Sequence, residues 1–446
     1  MPTEAAETLP DWLSFFMFSS ANVLYVTLGC VTLGMAAGLI GCFAFLRKRS
    51  LIGDALAHAA LPGVCVAFML TGTKDPLIVL LGASVSCWLG ALSVDWIVRH
   101  TRCKEDSALG MVLSLYFGVG IMLLTAIRQS GNAAQGGLDK FLFGQAASLV
   151  REDVVVIAVV GGLLMLAVML AYKELKLLSF DPDFAIAIGL PGKALEIGLS
   201  TLIVLAVAIG LQTVGVVLMA ALLVTPAAAA RYWTERLPVM LGLAAFFGGI
   251  SGFLGAYISY LSPQMPTGPW MVVAVSTIFL ASLLFAPQRG VLIRLLRTVQ
   301  FRRRTALENV LRTLYLLGEA ESDWSAAHAP AAIIERRAMP VHRLLSTLHR
   351  LQRQGAIAGD GRGCYRLTPE GIRDGARMTR VHRLWELYLT RKLELAPDHV
   401  HDDAETIEHI LTPELEARLA AVLDDPEHDP HARSIPPPAV PPGEPA

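Results

Sequence analysis

Apolar residues run in nine stretches between residues 24 and 286, each near the ~20 residues a helix needs to cross the hydrocarbon core of a bilayer. They fall at about 24–46, 54–72, 76–98, 108–127, 153–172, 196–212, 214–230, 238–260 and 269–286. The two flanking Gln212–Gly215 are short enough to be a broken or re-entrant pair. The pattern therefore predicts an all-α polytopic membrane protein with eight or nine transmembrane helices. Segment 11–22, with Trp12, Phe15 and Phe16, is too short to span and reads as interfacial.

From Arg302 the period changes. Leu307, Val310, Leu311, Leu314 and Leu317 mark one face of a helix over Ala306–Leu317. A second short helix covers Ala332–Ala338. A third runs from Pro340 to about Gln354, with Leu344, Leu345, Leu348 and Leu351 inward and Gly355 ending it. Residues 356–376 read as a two-stranded ribbon with a Gly-rich turn, then a helix capped near Thr368. Helix, helix, helix, ribbon is a winged helix, a soluble α+β unit. The expected division is a transmembrane domain at 1–298, a winged-helix-like domain at 302–376 and a helical domain at 377–436. The Pro-rich end, Ile435–Ala446, reads as unfolded, with a disordered tail at 437–446.

Charge gives the membrane half an orientation. Arg47, Lys48 and Arg49 follow the first span, and Arg99, Arg102 and Lys104 the third. Lys173 and Lys176 follow the fifth, Arg231 and Arg236 the seventh, and Arg289, Arg294 and Arg297 the ninth. Simple alternation puts all five loops on one side, which positive charge marks as cytoplasmic. The opposite loops, such as Ser262–Pro269, are nearly free of it. The N-terminus is expected outside and the C-terminal domain in the cytoplasm of a cell that holds the protein in its inner membrane. The net charge of −1 conceals the split between the halves. Met1–Pro10 is acidic and lacks the positive region of a secretory signal. None of the six cysteines forms a CxxC pair, so neither a zinc ribbon nor a disulfide framework is indicated.

Asp54 and His58 stand four residues apart in the second span, on one helical face. A carboxylate beside an imidazole suits a divalent transition metal, and ionisable groups within spans usually line a pathway. The alternative is that Asp54 sits at the cytoplasmic interface and pairs with Arg47 or Arg49. Both readings stay open on spacing alone.

The stretch "LRKRSLIGDALAHAALPGVCVAF" resembles a signature of the permeases of ABC-type manganese/zinc/iron importers. The resemblance continues through "GLDKFLFGQAASLVREDV", "LSFDPDFAIAIGLP", "VGVVLMAALLVTPAAAARYW" and "MPTGPW", over roughly residues 20–290. It implies that Asp54 and His58 contact metal in the translocation path. Ala57 stands where many relatives carry Ser and leaves the ligand positions intact. The resemblance also implies that Ser179–Pro191, containing Phe180, Asp181, Pro182 and Asp183, is the short helix that docks on an ATPase. A capped loop helix with acidic residues at its start is the plainer reading. The phosphate-loop pattern GxxxxGK[ST] fails at Ala187 and again at Ala194, after Gly192 and Lys193. The chain is therefore expected to be a transport permease and not an enzyme, with ATP hydrolysed by a separate ATP-binding subunit. The same resemblance implies an extracytoplasmic metal-binding protein and a second permease chain as partners, within membrane lipid.

Nine of the eleven histidines follow residue 300. His382 and Glu386 are spaced i, i+4 on one predicted helix, and Glu405, Glu408 and His409 share a face of another, with His401 between. For any single pair a solvated surface is the simpler reading. Residues 305–436 resemble diphtheria-toxin-repressor-type, metal-dependent regulators, including "DPHARSIP" near the end. The resemblance implies one metal site from His382, Glu386 and His401, and part of a second from Glu405, Glu408 and His409. Asn309 and Arg312 stand where the family's first helix supplies ligands, and Arg312 is no ligand, so the second site is incomplete. A divalent metal (Mn, Fe or Zn) is thus expected as substrate and effector. Arg343, His349, Arg350 and Arg353 decorate the third helix, which makes DNA a conceivable partner, although a charged solvated face needs no ligand. Two other functions stand beside metal import: a membrane-tethered transcription regulator, and a metal transporter that works without ATP. Nine spans exceed what a tether requires, and co-purification of an ATPase subunit separates the importer from the ATP-independent transporter.

Overall fold

A computed structural model describes residues 15–17, 21–49, 51–73, 75–129, 144, 146, 149–261, 265–393 and 413–438. The chain divides into two compact units, Met1–Arg294 and Leu295–Ala446.

Among the described residues, nine helices are long and apolar enough to cross a membrane. They are α1 (Ala21–Leu46), α2 (Ile52–Thr71), α3 (Pro76–His100), α4 (Glu105–Gln129), α5 (Arg151–Leu170), α8 (Gly192–Thr213), α9 (Val216–Trp233), α10 (Leu237–Leu261) and α11 (Thr267–Phe285). Two short helices, α6 (Tyr172–Phe180) and α7 (Pro182–Ala187), fill the loop after α5. The doubtful pair around Gln212 is two full helices, of 22 and 18 residues, joined by Val214 and Gly215 alone. Gly215 takes φ 86°, the left-handed region that a side chain would resist.

Helices in lipid gain little from the hydrophobic effect against one another, so close packing must hold them. The contacts run through glycine. A methyl group on Gly34 of α1 would overlap the carbonyl of Gly248 in α10, and one on Gly252 would overlap the carbonyl of Cys30. Gly38 lies against the carbonyl of Ala244, and Gly41 against that of Leu223 in α9. Helix α1 is thereby pressed against both α9 and α10. Gly63 and Gly82 bring α2 and α3 together in the same way. Side chains reinforce that crossing: Ser86 Oγ donates to the Ala59 carbonyl at 2.6 Å, and Cys87 Sγ to that of Leu56 at 3.1 Å. Trp233 Nε1 donates to Ser282 Oγ at 2.9 Å and ties α9 to α11.

The second unit holds α12 (Val291–Glu321) from Leu295 onward, α13 (Pro330–Arg336), α14 (Val341–Arg353), strands β1 (Ile357–Gly359) and β2 (Tyr365–Leu367), α15 (Pro369–Leu393) and α16 (Pro413–Val422). The strands pair antiparallel with Ile357 opposite Leu367. His328 exchanges both backbone hydrogen bonds with Tyr365 at 2.9 Å and extends the ribbon by one bridge. Asp360 accepts from the amides of Arg362 and Cys364 across the turn, and these bonds hold its carboxyl below the usual aspartate range. Val310, Leu314, Ile333, Leu344, Leu348 and Leu351 close the core with Ile357 and Leu367. Leu345, expected inward, is exposed, because its neighbours at the helical spacing already fill the core side.

The structure departs from the sequence reading in three further places. The first winged-helix helix is not confined to Ala306–Leu317 but is part of a 31-residue helix, since no Gly or Pro interrupts residues 291–317. Thr368 caps the next helix as expected, its Oγ1 accepting from the Gly371 amide at 3.1 Å. That helix, however, runs unbroken to Leu393, so residue 377 lies inside it. Ile435 is buried and the Pro436 carbonyl accepts from Arg380 at 2.8 Å, so folded chain extends into the Pro-rich end. Residues 439–446 and most of 11–22 lie outside the described residues.

Gly248→Leu is expected to cost at least the ~1–3 kcal/mol of an overpacked core, because the obstacle is backbone. Gly118→Ala, which meets nothing within 4 Å, should leave stability unchanged. Thermal melting of the detergent-purified protein, followed by size exclusion, reads both.

Candidate metal site

Helix α2 is the most heavily buried of the nine. Its first turn is built from small residues, Gly53, Ala55 and Ala57, which lets neighbours approach. Leu223 of α9 meets Gly41 with its backbone carbonyl and Gly53 with its side chain, so one residue sets the start of α2 against α1. On the other side Leu61 meets Gly120 of α4.

Asp54 and His58 lie on this turn and the next. His58 Nε2 stands 3.5 Å from Asp54 Oδ1, with the imidazole 13% and the carboxylate 34% exposed. The pair thus joins the packed interior to an accessible edge. The ring of Phe117 meets the imidazole edge-on with centroids 4.8 Å apart and restricts its rotation. His58 Nδ1 is buried without a hydrogen-bond partner. Pro62 adds a further polar atom: it has no N–H, so the His58 carbonyl loses its helical donor.

The arginines that offered Asp54 an interfacial partner are engaged elsewhere. Arg47 Nη2 is 2.7 Å from Glu196 Oε1, and Arg49 Nε is 2.7 Å from Glu105 Oε1. Two ligands 3.5 Å apart subtend roughly a tetrahedral angle at an ion with bonds of roughly 2.1 Å. A group of three or more His, Cys, Asp or Glu side chains placed to hold a metal is absent among the described residues. Phe117 was invisible in the sequence, where it is one aromatic within an apolar helix.

In the loop after α5, Asp181 caps α7 by accepting from the Phe184 amide at 3.0 Å, with Pro182 in the first turn and Asp183 beside it. Phe180, Phe184 and Ile186 are all more than half exposed, and of the three the sequence reading singled out Phe180 alone.

In the second unit His382 and Glu386 are both buried and meet at 3.0 Å, Nε2 to Oε1. His401, Glu405, Glu408 and His409 lie outside the described residues. Asn309 and Arg312 are buried in α12. Beside His382, Arg383 forms a two-toothed pair with Glu319 at 2.9 and 2.6 Å, donates to the Ser434 carbonyl and lies 3.6 Å from the buried Asp429. Arg377 and Arg380 reach Glu416 at 3.2 and 3.5 Å. Three arginines one turn apart thus fasten residues 413–438 to α15.

Among the described residues, nine helices long and apolar enough to span define a multi-pass membrane protein, with an ionisable pair on one of them. Residues 19–286 match the ABC 3 transport family, and the chain belongs to that family. Residues 368–437 match the iron dependent repressor, metal binding and dimerisation domain. The chain is similar to the manganese transport system membrane protein MntC of Bacillus subtilis (strain 168), 44% identical over 84% of this chain and 86% of that one. It is also similar to the zinc transport system membrane protein TroC of Treponema pallidum (strain Nichols), 46% identical over 65% of this chain and 96% of that one. Among solved structures, PsaBC from Streptococcus pneumoniae in complex with Fab aligns with TM-score 0.56 and 31% identity, over 62% of this chain and 97% of that chain.

Arg383→Ala is expected to cost about 3–5 kcal/mol, the penalty for stranding a buried charge, here Asp429. The strap should loosen first, so faster protease cleavage within 413–438 is the measurement.

Proposed function

We propose that the chain is the membrane permease subunit of an ATP-driven importer for a divalent transition metal, manganese or zinc first and iron next. The observation that carries this reading is the Asp54–His58 pair on α2, within a chain of the ABC 3 transport family. The named functions of the relatives, manganese and zinc transport, favour the same cargo. A carboxylate oxygen and an imidazole nitrogen accept any of these ions. Two side chains and one freed carbonyl hold an ion loosely, which a path requires if the ion is to leave.

Three partners complete the reading. A separate ATP-binding subunit docks at α6 and α7, where Asp181 and Pro182 fix the turn and Phe180, Phe184 and Ile186 offer apolar contact. An extracytoplasmic metal-binding protein delivers the ion, and a second permease chain closes the path. The C-terminal domain lies in the cytoplasm, where metal held by His382, Glu386 and His401 slows import once the ion is plentiful. Such a site works only if metal binds one packing of the domain better than another.

Asp54→Ala and His58→Ala are each expected to abolish uptake of labelled manganese or zinc while the permease still assembles with its ATPase. Uptake unchanged in both variants would remove the pair from the path. His382→Ala should leave initial uptake intact and prolong it in metal-loaded cells. A time course that stops when wild type stops counts against the sensing role.

A further inference from the structure

The second unit carries a surface that neither the transport path nor the candidate sensor site uses. On α12, Leu295, Leu296 and Val299 recur at the helical spacing, and all three are exposed, as is Phe301. The flanking charges are Arg297, Arg302, Arg303 and Arg304, the last paired with Glu308 at 2.7 Å, and residues 291–307 contain no acidic residue. A groove of about 750 Å³ opens beside this segment, between α12 and α14. Arg302 and Arg303 stand on its near wall, and Arg337, His342, Arg343 and Arg350 on its far side. No carboxylate belongs to its lining. A cationic groove is thus continuous with an exposed apolar edge.

That combination selects its occupant. Phosphates of a duplex would satisfy the arginines and leave four large apolar side chains in water. A bilayer surface satisfies both: the apolar side chains enter the headgroup region while basic groups meet anionic lipid. Each basic residue near an anionic surface contributes about a fivefold gain in partitioning. The surface is also close at hand, since Leu295 follows the end of α11 at Phe285 by ten residues, a length that reaches at most ~35 Å. We propose that this face of the second unit binds anionic phospholipid, with headgroup phosphates in the groove. The inference rests on the chain's being a membrane protein whose C-terminal domain is cytoplasmic.

The test uses the full chain in nanodiscs, with Cys103→Ser and Cys364→Ser removing the accessible thiols and a nitroxide on Leu296→Cys. Collisions with lipid-soluble oxygen and with a water-soluble nickel chelate locate the label. In discs containing phosphatidylglycerol the label should be shielded from nickel and open to oxygen. In phosphatidylcholine alone, at high salt, or with Arg302→Glu, Arg303→Glu and Arg304→Glu combined, it should return to water. The pair Arg343→Gln and Arg350→Gln, on α14, should weaken partitioning about 25-fold at the same per-charge gain. Equal nickel exposure or equal shielding in both lipids overturns the proposal. Shielding by duplex DNA but not by phosphatidylglycerol assigns the groove to nucleic acid and overturns it too. So does spin–spin broadening in either lipid, which assigns the face to a second copy. Metal uptake is not read, so failure here leaves the transport reading untouched, and failure of Asp54→Ala to stop uptake leaves this one untouched.

Discussion

Backbone against backbone is the contact on which the membrane unit depends. Apolar side chains in a bilayer are already solvated by lipid, so burying them against one another brings little. What remains is dispersion, which is felt only at close range. Gly34 against Gly248 and Gly41 against Leu223 achieve that range at points along one helix. Because α1 is clamped this way to α9 and α10, Leu223 has one place to sit, and that place also receives Gly53. The ionisable pair one residue further on is positioned by packing before any charge acts.

Charge then follows from what packing has left. Arg47 and Arg49, the nearest basic residues in sequence, are drawn to Glu196 and Glu105 on other helices. Asp54 has His58 opposite it instead. The second unit treats the same chemistry differently. There, arginines are spent on closure: Arg383 joins α15 to Glu319 of α12 and to the segment at Asp429 and Ser434. A buried charge so placed fixes one arrangement of the chain, because every other arrangement strands it.

The nine spans were legible because hydropathy over twenty residues is a sum that no single position can spoil. The Asp54–His58 pair was legible because charge is rare there. Their surroundings were not. A glycine in a span permits a close approach but does not announce one: Gly118 meets nothing within 4 Å, Gly34 does not name Gly248, and nothing about Phe117 marks it as the neighbour of an imidazole. In the soluble unit, the leucines of α14 predicted its core face except at Leu345, where two adjacent leucines share one period and only the geometry chooses. The helical domain was drawn to 436, yet proline density made Ile435 onward read as unfolded chain; Arg380 and Arg383 reach the carbonyls of Pro436 and Ser434, and proline keeps its carbonyl.

The disposition of sulfur bears on the cargo. Three buried cysteines of the membrane unit act as small hydrophobic residues with a weak donor. Cys42 donates to the Gly38 carbonyl, Cys65 to that of Gly120 and Cys87 to that of Leu56. A thiol turned to a carbonyl is held as a thiol, while a soft metal would require thiolate. The polar atoms assembled around the first turns of α2 are instead a carboxylate, an imidazole and a carbonyl. Oxygen and nitrogen donors of that kind take manganese, iron and zinc, whereas soft ions such as Cu(I) look to sulfur. Discrimination among the three acceptable ions is not supplied by two side chains whose geometry any of them tolerates. Any discrimination among them would have to come from coordination number and geometry beyond this pair.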